Sequence, residues 1–251
     1  MVPDEQELAG GNASGRVVRV GNTVRKPWLE NSAAVQDYLA VLRSSGVDVP
    51  QPLGKDDDGR SVVEFVAGVL ALEELPLTQD DLLRVGRMIR RIHGASEAVM
   101  IPNPGAWNML LPAENPDLMR HNDLAPWNLV RGDRWVFIDW DGAGPSTRLW
   151  DLAYAAQSFG MLFEGQPVKD AAAKLSALVD GYQADESLRS ALPAAMVQRT
   201  AAMFKLLESA HETGFQPWAD MFVNGHGEHW RGAARYVRQH QSAWEQALAR
   251  P

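Results

Sequence analysis

One stretch, His121-Asn122-Asp123-Leu124-Ala125-Pro126-Trp127-Asn128, constrains this chain more than any other. Asp123 and Asn128 lie five residues apart with Pro126 between them, so they belong to a loop rather than to one helix face. Leu129 and Val130, the turn-forming Arg131-Gly132-Asp133-Arg134 and the run Trp135-Val136-Phe137-Ile138 then predict a hairpin. Such a hairpin returns Asp139 to the side of Asn128. One carboxylate can orient a hydroxyl, while an amide and a second carboxylate can offer hard oxygens to magnesium. Phosphoryl transfer needs those parts, because its barrier falls mainly through positioning and through screening of phosphate charge.

The order His-x-Asp-x4-Asn followed by Ile-Asp resembles the aminoglycoside phosphotransferase and choline kinase group of small-molecule kinases. The later Arg148-Leu149-Trp150-Asp151-Leu152-Ala153 is similar to the next segment of that group. The resemblance implies a protein-kinase-like, two-lobed α+β fold, with a small β-sheet lobe over residues 1–67 and a larger, mostly helical lobe over residues 68–251. It implies that Asp123 is the catalytic base, that Asn128 and Asp139 bind Mg2+, and that ATP or GTP is the phosphate donor. The expected reaction moves the γ-phosphate to a hydroxyl of a small molecule. His121 is expected to tie the loop to the backbone, and Asp151 to be a buried carboxylate hydrogen-bonded to the loop. The likeness covers residues 10 to about 160 well and the remainder in helical character alone.

Composition narrows the partners. The chain has 251 residues, 45% hydrophobic and 22% charged, enough for a substantial core. It has no cysteine, which excludes a disulfide framework and a thiolate metal site. The N-terminal Met1-Val2-Pro3-Asp4-Glu5-Gln6-Glu7 is acidic and lacks the apolar core of a secretory signal. The most apolar run, residues 62–72, contains Glu64 and Gly68, so no membrane span is expected and a cytoplasmic enzyme fits. A net charge of -8 and a pI near 5.3 argue against a nucleic-acid partner, which would require clustered Lys and Arg.

In chain order, the glycine-rich residues 10–15 precede a hairpin of Val17-Val18-Arg19-Val20 and Thr23-Val24-Arg25-Lys26. Glycines let backbone amides approach phosphates closely, which suits a flap over a nucleotide, with Ser14 as the phosphate-contacting side chain. Kinase-like folds carry a phosphate-gripping lysine on the following strand. Lys26 is the best match, with Arg25 on the opposite face of the strand as its rival. Asn31-Ser32 opens an amphipathic helix bearing Val35, Leu39 and Leu42, which Gly46 closes. That helix should carry a glutamate for the lysine, yet Gln36 and Asp37 stand there. The strand over residues 61–66 would end at the hinge, where the backbone at Glu64 and Val66 would read adenine.

Thr78 and Asp81 begin a helix with the stripe Leu82, Val85, Ile89 and Ile92, on which Arg84, Arg87, Arg90 and Arg91 read as a dispersed, solvated face. Residues 95–118 read as a loop, and the chain beyond Asp151 as almost wholly helical. The acceptor, expected to be small and cationic, would meet acids of this last third: Glu164, Glu208, Glu212, Asp220 or Glu228 stand as counterparts, and Asp141 by proximity to Asp139. Choline would instead want an aromatic cage, which Trp218, Phe222 and Trp230 could build. His211, His226, His229 and His240 lack the spacing of a zinc site. Besides an aminoglycoside or amino-sugar kinase, the sequence leaves open a choline or neutral-sugar kinase, a nucleotide-binding regulatory module without turnover, and a scaffold.

Overall fold

Short alternating runs pair into one antiparallel sheet with strand order β1-β2-β3-β5-β4. Its strands are β1 (Gln6–Glu7), β2 (Val18–Val20), β3 (Thr23–Lys26), β4 (Pro52–Lys55) and β5 (Ser61–Glu64). The computed structural model describes residues 5–8, 15–99, 107 and 109–249. The expectation for Ser14, with most of the glycine-rich run, lies outside those residues. Gly21, at φ +58°, makes the two-residue turn that sets Val20 opposite Thr23, so the expected hairpin is present.

Helix α1 (Ser32–Ser44) lays Val35, Tyr38, Leu39 and Leu42 into the core, and Gly46 at φ +76° turns the chain away. Its start differs from the sequence expectation. Asn31 holds the cap position without capping; its side-chain amide donates to the Asp141 carbonyl at 2.9 Å, which ties the helix to the segment after Ile138.

Helix α2 (Gln79–Ala95) begins with the expected reciprocal cap of Thr78 and Asp81, and Leu82, Val85, Ile89 and Ile92 are all buried. It packs on α4 (Val168–Tyr182) at a glycine seam: a β-carbon on Gly86 would strike the Leu178 carbonyl, and one on Gly181 the Leu83 carbonyl. Arg84, Arg87 and Arg91 share one face of α2, while Arg90 lies over the Tyr182 ring. All four are exposed, as the solvated-face reading expected, with three of them gathered on one side.

The region read as a loop over residues 95–118 contains a short 3-10 turn, Ser96–Ala98, and ends where β7 (Leu118–Arg120) begins. Strand β7 pairs with β10 (Gly144–Ser146). A second small sheet joins β6 (Val69–Leu70), β8 (Leu129–Arg131) and β9 (Trp135–Phe137), with Leu129 opposite Phe137 as the hairpin reading required. The rest is helical: α3 (Arg148–Phe159), α4, α5 (Glu186–Thr213), α6 (Trp218–Met221), α7 (Gly227–Gln239) and α8 (Gln241–Leu248). Among the described residues no helix is long and apolar enough to cross a membrane. A small antiparallel sheet followed by a mostly helical remainder is the α+β architecture expected from the sequence.

Candidate active site

The loop between β7 and β8 is held from beneath by two buried groups. His121 is fully buried; its Nε2 lies 3.0 Å from the Ile138 carbonyl, and its Nδ1 accepts from the Asp123 amide at 3.3 Å. With one nitrogen facing a carbonyl and the other facing an N–H, the ring must be the neutral Nε2–H tautomer. It thereby joins the loop to the strand that leads into Asp139. Asp151, at the start of α3, accepts from the Asn122 amide at 2.9 Å and meets His93 Nε2 at 2.9 Å. Both residues thus occupy the supporting positions expected of them.

His93 continues this support. Burial pulls its pKa down to about 4, so the ring is neutral near pH 7. Its Nε2–H must then donate to Asp151, and Nδ1 accepts from the Tyr182 hydroxyl at 2.9 Å. Burial would raise the Asp151 carboxyl, but the hydrogen bond from His93, with the Arg120 charge, holds it below the usual carboxylate range. Asn122 and Asp139 both have positive φ, +65° and +57°, in a region that costs a non-glycine residue roughly 1–3 kcal/mol. These two strained positions flank the functional groups of the loop and of the strand end.

Asp123 and Asn128 face each other across the loop. Asn128 Nδ2 donates to Asp123 Oδ2 at 2.8 Å and to the Asp123 carbonyl at 3.0 Å. Both partners are acceptors, so the amide orientation is forced and Asn128 Oδ1 is left facing away from them. The hairpin closes through the Ile138 amide, which donates to the Asn128 carbonyl at 2.8 Å. Asp139 follows directly, with about a third of its side chain exposed. Burial pushes the Asp123 carboxyl above its ordinary value, and the Asp139 charge acts in the same direction. Hydrogen bonds from Tyr154 and Asn128 oppose that shift.

Lys26 reaches this group and Arg25 does not. Lys26 Nζ lies 2.5 Å from Asp141 Oδ1 and 3.2 Å from Asp139 Oδ1, whereas Arg25 is paired with Asp56 at 3.4 Å. Burial lowers the lysine pKa, but the two carboxylates outweigh it and leave the ammonium above its ordinary value. Gln36 is no partner of Lys26. Its amide donates to Ser61 Oγ at 3.0 Å and the Val62 carbonyl at 3.1 Å, and its carbonyl accepts from the Gly54 amide at 3.0 Å, stitching β4 to β5. The hard oxygens of Asn128 and Asp139 are of the kind that could hold magnesium, and the buried Asp141 Oδ2 nearby has no hydrogen-bond partner among the described residues.

Residues 104–189, which contain the loop, the hairpin and α3, match the model of the phosphotransferase enzyme family. That stretch of the chain is similar to the family. No curated protein sequence matches it. Among solved structures, a microcompartment-associated aminopropanol kinase overlaps with a TM-score of 0.66 at 18% identity, covering 99% of this chain and 95% of its own. A choline/ethanolamine kinase family protein from Mesorhizobium loti gives 0.63 at 19%, covering 98% and 92%. An amicoumacin kinase in complex with AMP-PNP and Ca2+ gives 0.67 at 15%, covering 94% and 88%. The fold is therefore the protein-kinase-like, two-lobed one, as the sequence resemblance implied.

Within this fold the remaining expectations separate. Glu64 and Val66 lie at the end of β5 and just past it; the Glu64 amide donates to the Gln51 carbonyl at 2.9 Å, and the Glu64 carboxylate pairs with Arg134 and Arg43. Three acids proposed for the acceptor are engaged elsewhere: Glu164 with Arg235, Glu228 with Arg231, and Asp220 with Gln216. Trp230 is buried, stacked on Tyr154 at 6.0 Å and 15°, with Trp218 and Phe222 packed on the same cluster. They form core packing rather than a cage. His211, His229 and His240 each lie against an aromatic ring, of Phe222, Phe163 and Tyr236 respectively.

The side chains of the helical lobe that do reach the loop were missed. The Tyr154 phenol of α3 hydrogen-bonds the Asp123 carboxylate. Arg199 of α5 lies 4.4 Å over the Tyr154 ring and donates to the Asn122 carbonyl at 3.4 Å. Tyr154 follows the Arg148–Ala153 segment by one position and Asp151 by three, so its placement on the loop side of α3 was in principle readable. Arg199 had no local signal.

Proposed function

We propose that this chain is a small-molecule kinase that transfers the γ-phosphate of ATP or GTP to a hydroxyl of an amine-bearing acceptor. One observation carries the reading: a loop carboxylate, an amide and a strand-end carboxylate meet beside a strand lysine, drawn from positions over a hundred residues apart. In this reading Asp123 orients the acceptor hydroxyl and takes its proton, Lys26 grips the nucleotide phosphates, and Asn128 Oδ1 and Asp139 hold Mg2+. The ion, when bound, screens the phosphate charge that opposes attack. The β-sheet lobe runs to residue 67, and the backbone of Glu64 and Val66 reads the adenine. Gly68 supports a turn at that boundary, because at φ +148° it passes against the Arg131 carbonyl where a β-carbon would clash.

The acceptor class rests on the family signature and on the printed names of the structural neighbours, which refer to aminopropanol, choline or ethanolamine, and amicoumacin. Aminoglycosides and amino sugars belong to the same chemical class. The test is Mg2+-dependent release of ADP or GDP across a panel of amino alcohols, aminoglycosides, choline analogues and neutral sugars. Turnover with one amine-bearing member supports the reading. Exclusive use of a neutral sugar would remove the amine and keep the kinase, whereas nucleotide binding without turnover on any acceptor would favour a regulatory module.

A further inference from the structure

A cavity of about 360 Å3 lies outside the site described above, where α2 meets the β8–β9 turn and the segment after α1. That volume is within the range of small-molecule sites, about 300–1,000 Å3. Arg84, Arg87 and Arg91 line it from α2, and Arg134 from the turn. Residues spaced by three, four and seven share one helix face, so the three guanidiniums are neighbours and repel one another.

Their contacts within the protein do not relieve that repulsion. Arg84 lies over the Trp135 ring at 4.2 Å, and Arg91 donates to the Gly46 carbonyl at 2.7 Å. Arg87 has no hydrogen-bond, ion-pair or ring partner among the described residues. Two carboxylates also line the cavity, but Asp48 is held by Arg134 at 2.8 Å, which leaves Asp133 alone against three cations. Acids outnumber bases in this chain, 32 to 24, so a shortage of carboxylates does not explain the unmatched charge. Val47, Met88, Ile92 and Trp135 supply an apolar wall beside the guanidiniums.

We propose that this cavity is a second binding site, for a small molecule that carries an oxyanion, phosphate or carboxylate, next to an apolar group. The planar guanidinium fork matches both oxyanions, and Arg84 and Arg91 are already held in place by Trp135 and the Gly46 carbonyl. The apolar wall takes the rest of the ligand. The site shares no residue with the group around Asp123, so its occupant need not be substrate or nucleotide.

Phenyl phosphate and benzoate serve as probes, titrated calorimetrically at constant ionic strength into the full chain, into Arg87→Glu and into Lys26→Met. We expect the wild type and Lys26→Met to bind one probe with equal affinity and Arg87→Glu to bind it at least about tenfold more weakly. Tighter binding of phenyl phosphate identifies phosphate as the head group; tighter binding of benzoate identifies carboxylate. Absence of binding by both probes overturns the proposal, as does unchanged binding in Arg87→Glu. Loss of binding in Lys26→Met would place the anion in the cleft and overturn it equally. Arg87 is exposed, so its replacement should fold; should it not, Arg91→Gln gives the same comparison.

Discussion

Lys26 Nζ stands 2.5 Å from Asp141 Oδ1, nearer than its 3.2 Å to Asp139. The resemblance calls for a helix glutamate as the counter-ion of this lysine, and the corresponding helix offers Gln36 instead. Asp141, two residues past the proposed metal ligand, supplies the missing negative charge from the opposite side. Lys26→Met should therefore raise the nucleotide KM roughly ten- to a hundredfold, the worth of a charge-assisted hydrogen bond, with intact folding by circular dichroism. A KM within twofold of wild type would return the phosphate grip to another residue.

Gln36 should behave in the opposite way. Its amide closes hydrogen bonds to Ser61, Val62 and Gly54, so Gln36→Ala leaves buried groups of β4 and β5 unpaired. A loss of about 1–3 kcal/mol in denaturant unfolding is expected, with nucleotide affinity unchanged. A selective loss of nucleotide affinity at full stability would show that the glutamine works on the lysine after all.

Asp123→Asn tests the base directly. If Asp123 takes the proton of the acceptor hydroxyl, turnover should fall by about 10^2–10^4 while nucleotide affinity stays near wild type. Asp139→Ala should instead shift the magnesium dependence, measured by titrating the ion at fixed nucleotide. A lowered melting temperature with an unmoved magnesium midpoint would make Asp139 structural.

How much of this was legible follows from the range of the interactions. The loop, the hairpin from Leu129 to Phe137, the Thr78–Asp81 cap and the apolar stripe of α2 are set by neighbours in sequence, and spacing reveals them. The choice of Lys26 over Arg25 was not legible, because alternation divides the two faces of β3 without saying which one looks at Asp139. Arg199 lies 77 positions from the carbonyl it meets, and no local pattern on a helix whose apolar residues are spread round its circumference points there. The aromatic residues of α6 and α7 could be read either as cage or as core, and the stacking of Trp230 on Tyr154 places them in the core.

Tyr154 gives a prediction of its own. Burial raises its phenol well above the usual tyrosine value, so it stays protonated and donates to Asp123, while the Arg199 cation lies on its ring. Tyr154→Phe removes the donor without removing the ring that stacks on Trp230. Turnover should fall about tenfold with little change in either KM. In an Asp123→Asn background the same substitution should cost almost nothing more, since both act on one group. Additive losses would assign Tyr154 a packing role instead.

The buried His93 makes stability depend on pH. Its folded pKa, pulled down to about 4, is below the ordinary histidine value of 6.5, so between those values the unfolded chain binds a proton that the folded chain does not. Stability from this group is fully present above pH 6.5 and is lost as pH falls toward 4. Each pKa unit corresponds to about 1.4 kcal/mol, so the loss should reach about 2 kcal/mol near pH 5 and approach about 3 kcal/mol near pH 4. Protonation would also replace the acceptor that Tyr182 uses and disturb the Asp151 carboxylate that holds the Asn122 amide, so catalytic-loop order should decline with it. His93→Gln keeps a donor for Asp151 and removes the titration. Denaturant unfolding of the two proteins between about pH 5 and 7 decides the matter: the wild-type slope should flatten in the variant, and parallel curves would assign the acid sensitivity to other groups.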